Sequence, residues 1–263
     1  MQITLEGKNA LVCGSTDGIG KATAIVLAEM GANITLLSRN EEKLQKTLKE
    51  LDTSIQGQKH QYIVADFFQS EQVTEAIKEH LTQQTTPFHI LINNTGGPPL
   101  GPLIEKSSIE IIKYMSLHLT TFHILAQSLI PGMNESGYGR IVNISSNAAK
   151  QPLLNMGISN TIRGAISGWA KTLANELGPN ITVNNILPGP TDTKELRNII
   201  AGKAEQSGRS IEEVYGVLHS KVPLGRLGSP REIANVVAFI ASPLASFVNG
   251  TNIVVDGGKT GSL

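Results

Sequence analysis

Residues Ala10–Gly20 read Ala-Leu-Val-Cys-Gly-Ser-Thr-Asp-Gly-Ile-Gly. A short apolar run ended by Gly14 is the pattern of a strand buried on both faces. A helical segment follows from about Gly18 to Met30, with Gly31 placed to close it. A strand that enters a glycine-rich turn and opens a helix is a phosphate cradle. The glycines let the backbone approach a pyrophosphate, and the helix offers free N–H groups and the positive end of its dipole. This reading assigns Gly14, Ser15, Asp17, Gly18, Ile19 and Gly20 to cofactor binding. A glycine pattern alone is a weak signal. Its place after the first strand and at the head of the first helix gives it weight.

The alternation continues outward from this unit. Asn33–Ser38, Gln61–Ala65, Phe88–Ile92, Arg140–Ile144, Thr182–Leu187 and Asn252–Val255 read as strands. Between them, helices are expected at Glu41–Leu51, Ser70–Leu81, Ser107–Ile130, Gly157–Leu177 and Arg231–Ala241. Ile166, Trp169, Ala170, Leu173, Ala174 and Leu177 mark one face of the fourth of these. Seven strands alternating with helices imply an α/β fold, a parallel sheet with helices on both faces, because parallel strands need crossovers. No repeat or linker interrupts residues 1–263, so one domain is expected, carrying a polar, helix-containing insertion over about 191–229.

Composition narrows the function. The 263 residues carry 22 basic and 22 acidic side chains, and this balance gives no reason to expect a nucleic-acid or anionic-membrane partner. With 40% apolar and 17% charged residues the chain supports a sizeable core. Cys13 is the single cysteine, which excludes an internal disulfide and a cysteine metal cluster. The six histidines show no metal-ligand spacing, so no metal is expected. No apolar run reaches the roughly 18 residues of a membrane span. Met1–Lys8 lacks the pattern of a signal peptide, and a cytoplasmic protein is expected.

Five motifs in order resemble the short-chain dehydrogenase/reductase family, in particular its 3-oxoacyl-[acyl-carrier-protein] reductase-like members. Cys13–Gly20 is similar to the family's Thr-Gly-x-x-x-Gly-Ile-Gly, and Asn93-Asn-Thr-Gly96 to its Asn-Asn-Ala-Gly. Arg140–Ser146 resembles the strand leading to the catalytic serine. Pro188-Gly189 with Thr193 resembles the Pro-Gly motif and its nicotinamide-contacting threonine, and Val255–Gly258 the C-terminal signature. The resemblance covers nearly the whole chain. It implies a single-domain Rossmann fold, doubly wound, and hydride transfer between a nicotinamide cofactor and a carbonyl or alcohol. It also implies that Asp66 contacts the adenine, that Asn93 and Gly96 border the adenosine ribose, and that Pro188, Gly189 and Thr193 lie at the nicotinamide. The second strand ends in Ser38-Arg39, where an acidic residue would select NAD. A guanidinium suits a 2′-phosphate, so NADP(H) is expected to be preferred and NAD(H) accepted. Asp17 weighs against a strong preference, since NADPH-preferring relatives often carry a basic residue there.

The catalytic pattern departs from the family. The four tyrosines, Tyr62, Tyr114, Tyr138 and Tyr215, are followed four residues on by Asp66, His118, Val142 and His219, so no Tyr-x-x-x-Lys exists. Aligned from both sides, Ser146 takes the place of the family serine, Ser159 of the tyrosine, Arg163 of the lysine and His118 of the asparagine. A serine hydroxyl is a far weaker acid than a phenol of pKa about 10, and a guanidinium exchanges no proton at neutral pH. Arg163 could still hold the nicotinamide ribose, so it counts as catalytic and as cofactor-binding. His118 could titrate near neutrality, and Lys150, four residues after Ser146, could hold an anionic substrate or donate a proton.

The expected activity is therefore an NAD(P)-dependent oxidoreductase with an atypical catalytic set. The alternative is a catalytically silent NADPH-binding sensor or partner protein. The insertion carries Leu196, Ile199, Ile200, Val214, Val217 and Leu218, faces that could cover an apolar small-molecule substrate. The loop Gly96–Pro102 would border the same cleft. The helices at Ser107–Ile130 and Gly157–Leu177 carry more apolar surface than one sheet face covers, and relatives pair through them, so a homotetramer is expected.

Overall fold

The computed structural model describes residues 4–262 of the chain. Seven parallel strands form one sheet: β1 (Asn9–Cys13), β2 (Asn33–Ser38), β3 (Gln61–Val64), β4 (Ile90–Asn93), β5 (Gly139–Ile144), β6 (Ile181–Pro188) and β7 (Asn252–Val255). Their order across the sheet is β3-β2-β1-β4-β5-β6-β7. The helices are α1 (Gly18–Glu29), α2 (Glu41–Leu48), α3 (Ser70–Gln83), α4 (Ser108–Met115), α5 (Thr121–Glu135), α6 (Gly157–Glu176), α7 (Lys194–Ser207), α8 (Ile211–His219) and α9 (Pro230–Ala241). This is the expected doubly wound, single-domain Rossmann architecture.

Strand alternation builds two cores. Leu11, Leu91, Ile141 and Val183 face the layer of α3, α5 and α6, where Phe88, Phe122 and Ile166 are buried. Ala10, Val12, Ile34, Ile92, Val142 and Ile186 face the opposite layer, with Leu27 of α1 and Val237 of α9. β1 has β2 on one side and β4 on the other, so chain direction across the sheet reverses between them. At such a switch point the loops beyond the strand ends separate and leave a crevice.

Ser-x-x-Glu sequences start three helices. Ser107 and Glu110 open α4, Ser210 and Glu213 open α8, and Ser229 and Glu232 open α9, each as a reciprocal capping box. The single long helix expected over Ser107–Ile130 is interrupted. A π-type turn at Ser116–Thr120 separates α4 from α5, and α5 runs past Pro131 to Glu135. The Thr121 hydroxyl donates to the Ser116 carbonyl, 3.1 Å away, on the widened turn.

Asparagines cross the sheet in register. Asn93 of β4, Asn143 of β5, Asn185 of β6 and Asn252 of β7 lie opposite one another. Each Nδ2 donates to the next Oδ1 at 2.8 Å, from Asn93 through Asn143 and Asn185 to Asn252. The first two side chains are fully buried, so these bonds satisfy groups that water cannot reach.

Candidate active site

The crevice lies at the switch point, beyond β1 and β4. Gly14 and Gly18 have φ of +55° and +52°, a region that β-carbons disfavour. A Cβ on Gly20 would collide with the Gly14 carbonyl oxygen and stand 2.6 Å from Asn94 Nδ2. Asn94 holds the turn from the other side, donating to the Cys13 and Gly14 carbonyls at 3.3 and 3.2 Å. Asp17 caps α1 and accepts from Gly18 N at 2.7 Å. Gly96 faces open space. Open backbone at a helix N-terminus fits a pyrophosphate.

From this turn a hollow of about 330 Å³ runs over the ends of β2 and β3, lined by Ser38, Arg39, Asp66 and Phe68. Arg39 is two-thirds exposed and its guanidinium lies 3.9 Å from Asp66. In the other direction a cleft of about 420 Å³ runs beside α7, lined by Ile19, Ser146, Ser159, Arg163, Gly189 and Thr193. Pro188 borders it as well, and Thr193 caps α7, accepting from Leu196 N at 3.3 Å.

Ser146, at the end of β5, accepts from Ala148 N at 3.2 Å. Ser159 and Arg163 stand one turn apart on α6, 5% and 6% exposed. Arg163 Nη1 donates to the Ile144 carbonyl at 2.9 Å, while its Nε has no partner. Burial pushes this guanidinium down to about 10, and the Glu195 charge opposes the fall.

Some expectations need correction. His118 does not reach the cleft: it sits in the π-type turn, 0% exposed, with neither ring nitrogen hydrogen-bonded and its ring against Phe122. Burial first, and the Arg163 charge second, hold it well below the usual histidine range, so the ring is neutral and removed from solvent. Asn93 belongs to the sheet ladder, and its neighbour Asn94 lines the crevice. Ser15 is fully buried with its hydroxyl turned to the Leu37 carbonyl at 3.4 Å, leaving only its backbone near the turn. Gly20 lies beneath the cradle as packing. Lys150 is exposed and is not among the residues lining the cleft.

The insertion forms α7 and α8. Leu196 and Ile199 face the cleft together with Leu100 of the loop after β4. Ile200, Val214, Val217 and Leu218 line a second groove of about 400 Å³ between α7 and α8. Sequence reasoning missed Glu195, which lines the cleft and accepts from Gly97 N at 3.1 Å, tying α7 to the loop after β4. An acid in the first turn of a helix reads as a partner for the dipole, and that reading concealed it.

The Val255–Gly258 signature is a brace. Asp256 accepts from Thr260 N and Oγ1, Gly258 N and Lys259 N at 2.6–3.1 Å, and its backbone packs against Gly189. Burial raises its carboxyl, but the bonds from Thr260, Gly258 and Asn147 outweigh that and hold it below the usual value. A depressed folded value contributes stability above the unfolded value of about 3.9, and the contribution is lost as pH falls through the folded one. Asp256→Asn should therefore lower stability at pH 7 and flatten the acid limb below pH 4. Urea midpoints measured from pH 7 to pH 3 check this, and parallel curves for the two proteins would refute it.

Among the described residues no group of three or more His, Cys, Asp or Glu could hold a metal, and no helix is long and apolar enough to cross a membrane. The family described as enoyl-(acyl carrier protein) reductase matches residues 14–260. A tropinone reductase homolog of Arabidopsis thaliana is 35% identical over 258 residues, 98% of this chain and 94% of the relative. A 3-oxoacyl-[acyl-carrier-protein] reductase of Aquifex aeolicus is 31% identical, over 98% of this chain and 99% of its own. Among solved structures, L-sorbose reductase from Gluconobacter frateurii, complexed with NADPH and L-sorbose, superposes with a TM-score of 0.94 at 30% identity, covering both chains completely. With its crevice at the switch point and these likenesses along its whole length, the chain belongs to the short-chain dehydrogenase/reductase family of NAD(P)-dependent oxidoreductases.

Proposed function

We propose that the protein is an NADP(H)-dependent reductase or dehydrogenase of small carbonyl compounds or alcohols, with Ser146, Ser159 and Arg163 as its catalytic set. The observation that carries this reading is the continuous path from the phosphate cradle to those three side chains. Gly14, Gly18, Ile19 and Asn94 would hold the pyrophosphate region, with Asp17 fixing the helix end. Arg39 would meet the 2′-phosphate, Asp66 the adenine, Gly96 the ribose, and Pro188, Gly189 and Thr193 the nicotinamide. A bound cofactor supplies or accepts the hydride.

The protein's own residues act on the substrate oxygen. The Ser146 hydroxyl donates a hydrogen bond to it, and the Arg163 charge favours negative charge developing there. Neither releases a proton at neutral pH, so in reduction the proton comes from water. Losing a positioned general acid costs about 10²–10⁴ in rate. Activated acceptors are the substrates that tolerate this loss. The domain extends over residues 1–263, with 191–229 as the lid, and Leu196, Ile199 and Leu100 give the cleft an apolar wall.

Fluorescence titration with NADPH, followed by turnover on activated diketones, tests the reading. Absence of cofactor binding would sink it. Arg39→Ala should weaken NADPH about tenfold and NADH little, because one charge-assisted contact to phosphate is lost. Equal losses for both cofactors would remove Arg39 from that role.

The reading includes a homotetramer. α4 exposes Ile109 and Ile112, 76% and 67% accessible, and α6 turns Gly164 and Gly168 outward, where no neighbour stands within 4 Å. Small residues let a second helix approach closely. Light scattering at micromolar concentration that gives only a 28 kDa species would refute this assembly.

A further inference from the structure

Arg163 is a buried cation without a counter-ion. It is 6% exposed, yet it lines the cleft. Among the described residues the ion pairs are Lys21–Glu50, Arg39–Asp66, Arg197–Asp192, Arg226–Glu232 and Arg231–Glu29, and none includes it. One N–H goes to the Ile144 carbonyl and its Nε finds no acceptor. Towards the core it meets His118, neutral and itself unpartnered. Towards α7 the carboxylate whose charge reaches it is Glu195, whose Oε1 is already bound to Gly97 N. Asp17, the other carboxylate of the cleft, is committed to capping α1. A desolvated charge left in this way is costly, and an incoming anion relieves the cost.

The anionic groups of the cofactor belong elsewhere. Its pyrophosphate fits the turn at Gly14–Gly20, and a 2′-phosphate fits Arg39 at the far end of the crevice. The nicotinamide ribose hydroxyls could take one N–H of Arg163 but carry no charge, so the substrate remains as the source of an anion. Resting on the oxidoreductase reading above, we infer that the substrate is itself an anion, a carbonyl compound or alcohol with a carboxylate close to the reacting carbon, and that Arg163 receives that carboxylate. Glu195 then has a second property. Its charge competes with the substrate for Arg163, so it sets how strongly an anion is drawn in.

The test compares 2-oxooctanoate with its methyl ester, in the protein saturated with NADPH. Both present a 2-ketone and the same apolar chain to Leu196 and Ile199; the ester's ketone is the more electrophilic, which acts on kcat, so the comparison is made on KM and on binding. KM for the acid should be at least about tenfold lower than for the ester. Arg163→Met should abolish the ratio, and Arg163→Lys should keep most of it. Glu195→Gln, whose amide oxygen still accepts from Gly97 N, should enlarge the ratio about threefold or more at pH 7. Calorimetry with the two ligands in the NADP+ complex, which has no hydride to give, makes the same comparison without turnover, so a slow or poorly folded Arg163 variant leaves Glu195→Gln and wild-type binding to decide.

Equal constants for acid and ester, or a preference that survives Arg163→Met, would overturn the inference. So would a rate effect of Arg163 that is the same for both compounds, since that would confine its charge to the developing alkoxide. In each of these cases reduction of neutral diketones leaves the parent reading intact. A protein that fails to bind NADPH overturns both.

Discussion

The double variant Ser159→Tyr with Arg163→Lys is expected to reduce neutral ketones about 10² times faster than the unmodified protein, with either change alone giving much less. The Ser159→Tyr change brings a phenol, a far better proton donor than a serine hydroxyl. The Arg163→Lys change places an ammonium one helical turn away, lowering the phenol's pKa. The new ring would extend into the cleft of about 420 Å³ that Ser159 already lines, beside Ser146. The shorter lysine side chain makes room for it. Because donor and ammonium act as a unit, the two effects should be non-additive. The measurement is kcat/KM on a panel of neutral diketones, with NADPH affinity checked in each variant. A wild type that already turns over quickly on a neutral ketone, together with a slower double variant, would reject the idea. The donor would then have to be sought elsewhere in the cleft, since His118 is sealed in the core and Lys150 lies outside the cleft lining.

The second large effect is on stability. Asn143 is the middle of the sheet ladder, accepting from Asn93 and donating to Asn185. Asn143→Ala removes both bonds and strands one donor and one acceptor in a region without water. Each orphan costs about 1–3 kcal/mol, so the loss should be about 2–6 kcal/mol. For a chain of this size that is a fall in Tm of about 10 °C. Asn252→Ala is the control: Asn252 is exposed at the sheet edge and water can replace it, so its loss should stay below about 1 kcal/mol. Urea denaturation of both variants decides. Similar small losses would mean that the ladder contributes little.

The fold was legible because strand and helix signals agreed at every level. Buried apolar runs, apolar positions at helical spacing and a glycine-rich first turn all pointed to the same alternation, and the seven strands lie close to where the sequence placed them. The π-type turn was not legible, because apolar spacing continues smoothly through Ser116–Thr120 and conceals a change in hydrogen bonding. The exchange of Asn93 for Asn94 was within reach of the sequence. Asn93 shares parity with Leu91, which faces the core, so period-two alternation sends its side chain into the sheet layer and its neighbour's outward. His118 was beyond reach, since whether a helix-borne histidine faces a cleft depends on packing between distant segments. Motif spacing put Ser146, Ser159 and Arg163 on one cleft wall, and the tertiary fold added Glu195 from the lid.

Parallel sheets covered on both faces have a weakness in alignment. Their strands are apolar throughout, so sliding β5 by two residues along β4 would keep every Ile and Val facing a greasy layer at little cost. The row of asparagines removes that freedom. A slip of two residues would set Asn93 opposite Ile141 instead of Asn143, and would strand buried amides on both strands at once. The same holds at each boundary from β4 to β7. The ladder thus penalises slipped pairings that hydrophobicity alone would accept.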